Sequence, residues 1–171
     1  VLPSLLHFDW SGTGEPGSTF TYEIPGIVGP TTTTDTFCDV FVYAGGVQSF
    51  SIYETDGMGN VSVPASCQFF VDATPPVVTD LSITPSEVTN DATPAFNWGV
   101  ADTDSGVEYC ECDIEGPVMH GSGPVFDSFY QASFLPEGNY IFLLLSYDMV
   151  GNETITELPF TVDLPAPTAP V

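Results

Sequence analysis

Aspartates in turn sequences and at the ends of strands are the residues of this chain best suited to chemistry. Four of them are candidate ligands for a metal ion: Asp72, Asp102, Asp104 and Asp148. Calcium takes six to eight hard oxygen ligands, and carboxylates at the joint between two domains would stiffen that joint. The alternative is an ordinary turn, in which Asp accepts hydrogen bonds from its own backbone. The spacing excludes an EF-hand, so calcium at a less regular site is the one cofactor that the sequence could indicate.

Four cysteines form a second set of reactive residues: Cys38, Cys67, Cys110 and Cys112. Their presence in an acidic chain without Lys is typical of an oxidising, extracellular setting. Cys38 and Cys67 fall in the same half of the chain, so we expect them to form a disulfide. Closing a loop of roughly 30 residues would contribute about 3–4 kcal/mol.

Cys110 and Cys112 are two residues apart on one predicted strand, where a direct bond is geometrically awkward. Their state is left open among buried free thiols, a strained bridge and a bond to another chain. A metal site is disfavoured because His120 is the only other soft ligand nearby.

Two glycosylation sequons occupy matching positions, at Asn60-Val-Ser and Asn152-Glu-Thr. Each Asn also ends an Asp-x-x-Gly-Asn sequence, which is itself a turn signature because Asn tolerates left-handed backbone geometry. The turn alone accounts for the presence of the Asn, so only the Ser or Thr two positions later is evidence for glycosylation. Both asparagines are therefore predicted glycosylation sites if the source is eukaryotic.

Catalysis is not indicated by any spacing in the sequence. His7 and His120 are the only histidines, and neither has a nucleophilic residue at a sequence spacing typical of a catalytic motif. The carboxylates are scattered over turns, with no pair singled out for acid–base work. We therefore predict that the chain is not an enzyme.

The charge of the chain restricts its partners. The 171 residues include 23 acidic side chains and neither Lys nor Arg, for a net charge of −23. Nucleic acid and anionic membrane surfaces both require positive charge, so neither is an expected partner. The acidic surface either keeps the protein soluble or attracts cations. No stretch approaches the roughly 20 apolar residues of a membrane span, and trypsin has no Lys or Arg after which to cleave.

Short alternating runs of Thr, Val, Phe and Tyr, broken by 16 Gly and 16 Pro, predict an antiparallel β-sandwich architecture. The runs recur along the chain. Asp56 and Asp148 are separated by 92 positions, and Phe8-Asp-Trp10 returns as Phe-Asn-Trp 88 positions later. The chain is therefore predicted to be all-β, with two tandem antiparallel sandwiches.

The first predicted sandwich is short at its start. In the second, a complete strand at 77–84 precedes the Phe-Asn-Trp triplet, whereas only a few residues precede Phe8. The corresponding strand of the first sandwich is either very short, outside the sequence, or donated by a neighbour. Donation would close an exposed sheet edge.

Proline-rich stretches mark the predicted boundaries. We place the sandwiches at 1–73 and 74–164 and assign 165–171 as a linker to a further domain. Prolines directly after a last strand remove ladder donors and stiffen the joint. The chain begins with Val and has no signal peptide, so we expect it to be mature or part of a longer protein.

Several sequences together resemble extracellular immunoglobulin-like repeats of the bacterial Ig-like and fibronectin III-like kind. They are Val-Asp-x-x-Pro-Pro at 71–76, Cys-Asp-Ile-Glu-Gly at 112–116, Leu-Pro-Glu-Gly-Asn-Tyr-Ile-Phe at 135–142 and the Asp-x-x-Gly-Asn turn at 148–152. The resemblance implies two immunoglobulin-like sandwiches at the cell surface. One departure is that 117–124 lacks the second Cys that usually follows the Gly.

Such repeats serve as stalks, adhesins, filament subunits and enzyme appendages alike, so the resemblance does not decide the function. The favoured function is a structural segment or subunit of an extracellular filament, surface appendage or stalk, whose partners are neighbouring copies or repeats. The alternative is a calcium-dependent cell-surface adhesin. An accessory module of a secreted enzyme has no positive support in the sequence.

Overall fold

The computed structural model describes residues 4–165, and they form fourteen β-strands. The chain separates into two compact units, of which the first ends at Ala73 and the second begins at Thr74. Within the described residues no helix is long and apolar enough to cross a membrane. The predicted linker at 165–171 lies outside the described residues, apart from its first residue.

The first unit contains six strands. They are β1 (Ser4–Asp9), β2 (Thr19–Ile24), β3 (Val28–Thr33), β4 (Phe37–Val42), β5 (Gly46–Thr55) and β6 (Ala65–Val71). β1 pairs antiparallel with β4, and a second sheet has the order β3-β2-β5-β6. Side chains alternate between buried and exposed along β4, as one buried face of a sheet requires.

Aromatic rings fill the core of the first unit. Phe8 stacks on Phe50 with ring centroids 4.2 Å apart and also contacts Phe69 at 5.4 Å. Trp10 packs edge-on against Phe20. Ile24 and Val42 are almost fully buried beside them. The recurring Phe-x-Trp sequence therefore marks a strand whose aromatic side chains face the core.

The second unit contains eight strands. They are β7 (Val77–Thr84), β8 (Val88–Thr89), β9 (Ala95–Ala101), β10 (Val107–Glu115), β11 (His120–Gly121), β12 (Phe129–Gln131), β13 (Gly138–Asp148) and β14 (Glu153–Val162). One sheet has the order β12-β9-β7, and the other has the order β11-β10-β13-β14-β8. All pairings are antiparallel except that of β8 with β14.

The core of the second unit repeats the aromatic arrangement of the first. Phe96 stacks on Phe142 with centroids 3.9 Å apart, as Phe8 stacks on Phe50. Tyr140 is buried, and its hydroxyl donates a hydrogen bond to the carbonyl oxygen of Pro136 at 2.8 Å. The prediction of an all-β chain made of two immunoglobulin-like antiparallel sandwiches is confirmed.

The two units differ at one sheet edge. β9 of the second unit lies between β12 and β7, whereas β1 of the first unit pairs with β4 alone among the described residues. Residues 4–6 belong to β1, so they occupy the position of β9 and not that of β7. Among residues 4–165, no strand of the first unit occupies the position that β7 has in the second.

Candidate functional site

The Asp-x-x-Gly-Asn turn after β13 is built around the carboxylate of Asp148. One oxygen accepts the backbone N–H groups of Val150 at 2.9 Å and Asn152 at 2.8 Å. The other accepts the side-chain amide of Asn152 at 2.7 Å. Gly151 has a φ of 90°, a left-handed conformation that other residues adopt at a cost, which explains the Gly in the motif. Asp148 is fully buried.

A second aspartate turn follows β9. One carboxylate oxygen of Asp102 accepts the backbone N–H groups of Asp104, Ser105 and Gly106 at 3.1, 2.9 and 2.8 Å. Gly106 is left-handed, with a φ of 86°. Asp102 is half-buried, because its carboxylate faces the loop that it organises.

Hydrogen bonds connect these two turns. The N–H of Met149 donates to the carbonyl oxygen of Gly106 at 3.1 Å. Thr74 donates its hydroxyl to Asp104 at 2.8 Å, and its carbonyl oxygen lies 3.4 Å from the side-chain nitrogen of Asn152. The start of the second unit, the Asp102 turn and the Asp148 turn therefore form one polar cluster.

Two negative charges come close together in this cluster. A carboxylate oxygen of Asp102 lies within 4.8 Å of one of Asp148. The chain has no Lys or Arg that could balance them. Like charges repel more strongly where water is excluded, and a divalent cation that bridges two carboxylates removes the repulsion. The pair is the part of the chain best suited to hold such an ion.

The first unit contains the same turn in an exposed setting. Asp56 accepts the N–H groups of Met58 and Asn60 at 2.9 and 2.8 Å, and the side-chain amide of Asn60 at 2.7 Å. The side-chain hydrogen bond from Asn60 makes the largest contribution to a lowered pKa for Asp56. Thr13 similarly lowers the pKa of nearby Glu54 by hydrogen bonding to its carboxylate. Water reaches both acids, so this turn is the natural comparison for the buried one.

The predicted metal ligands thus have different positions. Asp102 and Asp148 come together, while Asp104 accepts a hydrogen bond from Thr74 on the outside of the same cluster. Asp72 is buried in the first unit directly after β6, and its predicted role as a calcium ligand stays a prediction. Thr74 was not predicted, because nothing local in the sequence distinguishes it from other linker residues.

The side chains of the two sequon asparagines stabilise these turns. In each, the side-chain nitrogen, which is the atom that would carry a glycan, donates a hydrogen bond to an aspartate at 2.7 Å. Asn152 is buried, so a glycan there would require the turn to open. Asn60 is exposed and remains the predicted glycosylation site that the fold could accommodate.

All four cysteines are free thiols, so the predicted bond between Cys38 and Cys67 is absent from the structure. Cys38 is buried on β4, whereas Cys67 is exposed on β6 in the other sheet. Aromatic rings fill the core between these sheets, with Phe8 packed on Phe69. A bond across this filled layer would require the sheets to move together.

Cys110 and Cys112 are buried and point into the core of the second unit, as the alternation along β10 predicts. Of the alternatives left open by the sequence, the structure has the buried free thiols. Burial raises the pKa of Cys112 to about 12, which keeps it protonated. Cys110 lies 3.4 Å from the hydroxyl of Ser146.

Comparison with solved structures shows the same fold in surface proteins. A Ca2+-stabilised adhesin with which an Antarctic bacterium binds ice is 19% identical, with a TM-score of 0.57 over 95% of this chain. A 1.5-MDa bacterial ice-binding adhesin is 14% identical, with a TM-score of 0.54 over 95% of this chain. This chain spans 44% and 57% of those two chains.

Fibronectin(III)-like modules of Clostridium thermocellum CbhA are 15% identical over 94% of this chain and 86% of that chain, with a TM-score of 0.47. No family model and no curated protein matches the sequence. The likeness to the two adhesins shows the fold alone at these identities, and function has to be argued from the surfaces of this chain.

Proposed function

We propose that the chain is a structural, non-catalytic segment or subunit of an extracellular filament, surface appendage or stalk. The observation that carries this proposal is an apolar outer face on the sheet formed by β1 and β4. Leu5 and Phe41 are cross-strand partners on this face, and Phe37 lies on the same side. Each of the three side chains is more than half exposed. We call these three residues the outer apolar face.

An apolar face of this kind is a mark of a contact surface, because monomeric proteins seldom expose adjacent large apolar side chains. In the second unit the equivalent of Phe37 is Phe129, which is also exposed, but the equivalent of Phe41 is Ser133, so only one of the two rings recurs there. His7 stacks on Phe37 and contacts Asp39 at 2.7 Å beside the face. The register places this polar pair between Phe41 and Phe37, so a neighbouring copy or repeat that buries the rings would also cover a pair that is already hydrogen-bonded.

Replacing Phe37 and Phe41 by Ser tests the proposal. Because both rings are exposed in the isolated chain, we expect unchanged circular dichroism but at least tenfold weaker self-association in sedimentation velocity. Met58→Ser is the matched control, since Met58 is 89% exposed but lies in a turn away from the sheet face. Equal association by the double variant and the control would contradict a role for this face.

A second function, a calcium-dependent adhesin, is favoured by the Asp102–Asp148 pair. A Ca2+-stabilised adhesin is among the proteins that share this fold. If the pair holds calcium, millimolar calcium should raise the melting temperature, and Asp102→Asn should abolish the increase. Asp56→Asn is the control, because it changes an aspartate in the exposed counterpart of the Asp148 turn, away from the pair. An unchanged melting temperature with calcium would count against the adhesin.

A further inference from the structure

The outer side of the five-stranded sheet in the second unit carries an apolar stripe along its middle strand. Side chains of β13 alternate between the core and this outer side, and the outward ones include Ile141, Leu143, Leu145 and Tyr147. None of these four is buried, and Ile141 is 37% exposed. At the rise of an extended strand they cover about 20 Å of the sheet. We call these four residues the central stripe.

Carboxylates border the central stripe on both sides. Its cross-strand partners on β10 include three acids, Glu111, Asp113 and Glu115. Its partners on β14 include two more, Glu153 and Glu157. Neighbouring strands lie about 5 Å apart, so a ligand seated on the stripe would be within reach of the acids on either side. We call these five residues the acidic rows.

Two residues of β14 widen the stripe. Ile155 is the cross-strand partner of Leu145 and is 57% exposed. Pro159 is the partner of Ile141 and is also exposed. Monomeric proteins seldom expose large apolar side chains next to one another, so a stripe of this width indicates a binding surface.

One end of the stripe suits a cationic group. The rings of Tyr109 and Tyr147 have centroids 4.9 Å apart, and the Tyr147 hydroxyl donates a hydrogen bond to Glu153 at 3.4 Å. Burial raises the pKa of Tyr147, and the nearby charges of Glu153 and Glu111 raise it further. An ammonium or guanidinium group at this end would meet aromatic rings and carboxylates together.

The other end of the stripe opens into a groove of about 550 Å³. Ile141, Pro159 and Val88 form its apolar part, and Glu87 and Glu115 line it as well. The groove therefore repeats the pattern of the stripe, with apolar residues beside carboxylates. It offers room for a bulky side chain of a partner.

Charge determines which partner fits this face. The chain has no Lys or Arg that could balance the acidic rows, and a second copy would bring acids against acids. A metal ion would balance the carboxylates but would leave the central stripe exposed to water. A partner that carries Lys or Arg beside apolar side chains satisfies both features.

The dimensions of the face favour a helix as the contacting segment. β13 separates the two acidic rows, so they lie about 10 Å apart, which is close to the diameter of an α-helix. A helix packed along a sheet is also a common way to cover an apolar sheet face.

We propose that this face binds a basic amphipathic helix of a partner protein, aligned with β13. The apolar side of the helix contacts the central stripe, and Lys or Arg residues on its two flanks pair with the acidic rows. This inference goes beyond the proposed assembly role and does not depend on it.

The probe is a synthetic peptide of about 14 residues, the helical length that spans about 20 Å, with Leu along one face and Lys on both flanks. Isothermal titration calorimetry with the full chain should show saturable binding of one peptide per chain. A peptide with the same residues in scrambled order keeps the charge but has no continuous apolar face, so it should bind at least tenfold more weakly. Absence of binding, or equal affinity of the two peptides, would overturn the proposal.

Charge-matched variants locate the site. Glu111→Gln combined with Glu157→Gln removes one charge from each acidic row and should weaken binding about fivefold, as for two exposed ion pairs. Asp80→Asn combined with Asp127→Asn removes the same charge from exposed positions outside the five-stranded sheet and should leave the affinity nearly unchanged. Equal weakening by the two pairs would mean that overall charge attracts the peptide, and the assigned face would be wrong.

Ile155→Ser tests the apolar part of the contact. The helix would bury this side chain, so its loss should weaken binding about tenfold. Val77→Ser is the matched control, since Val77 is 62% exposed on β7 in the other sheet and should not affect the affinity. Circular dichroism verifies that each variant is folded. Equal affinities of the two variants would contradict burial of the central stripe.

The variant with Phe37 and Phe41 replaced by Ser separates this inference from the assembly role. Its outer apolar face is altered while the acidic rows and the central stripe are intact, so it should bind the peptide as the unchanged chain does. Loss of peptide binding in this variant would place the contact on the first unit and overturn the proposal.

Discussion

At the scale of single residues, the chain uses one turn chemistry in two environments. Asp56 and Asp148 accept the same three hydrogen bonds, with distances that agree within 0.1 Å. Asp56 is half-exposed, whereas Asp148 is fully buried and close to Asp102. The local sequence determines the turn, and the surrounding unit determines what the carboxylate can do.

Replacing each aspartate by Ala measures that difference. Asp148→Ala removes the acceptor of three hydrogen bonds, of which the two from Asn152 are buried, and should reduce the free energy of unfolding by about 3 kcal/mol. Asp56→Ala should have a clearly smaller effect, because water replaces the lost acceptor. Urea denaturation of the two variants tests this expectation. Equal losses of stability would show that burial does not distinguish the turns.

Thiol reactivity provides a second residue-scale prediction. Cys67 is exposed, whereas burial protects Cys38, Cys110 and Cys112. Burial also raises the pKa of Cys38 and Cys112, so less of the reactive thiolate forms at pH 8. Ellman's reagent should therefore label one cysteine quickly in the native protein and four in 6 M guanidinium. Fewer than four labelled thiols in the denatured, unreduced protein would contradict the free-thiol assignment.

At the scale of strands and sheets, much of the fold could be predicted because its signals are local. Alternating residues around Cys110 and Cys112 predict a strand with one buried face, and the structure has it. The disulfide between Cys38 and Cys67 was wrongly expected, since strand periodicity does not tell how two sheets face each other. Asp102 and Asp148 were both predicted metal ligands, but the sequence could not tell which candidates come together, because that depends on how the turns after β9 and β13 pack.

The aromatic stacks are the element-scale feature that holds each sandwich together. Phe142 on β13 contacts Phe96, Trp98 and Tyr130, which places it at the centre of the second core. Phe142→Ala should lower the stability of the second unit by about 3–5 kcal/mol through lost burial and a cavity. Hydrogen exchange should show the loss of protection in β13 and its neighbours. Protection lost first in β1 and β4 would contradict this placement.

At the scale of the whole molecule, a net charge of −23 opposes any contact between copies. The outer apolar face favours contact. Salt shortens the range of the repulsion to about 10 Å at 0.1 M, so association should strengthen as ionic strength rises. The balance between charge repulsion and apolar attraction, more than any single site, determines whether copies of the chain assemble.

Negative-stain electron microscopy of the native material, with and without a calcium chelator, tests the central claim most directly. A structural subunit held by apolar contacts predicts uniform filaments or appendages that survive chelation. Separate particles that loosen when calcium is removed would contradict that account. They would favour the adhesin and direct mutagenesis to Asp72, Asp102, Asp104 and Asp148.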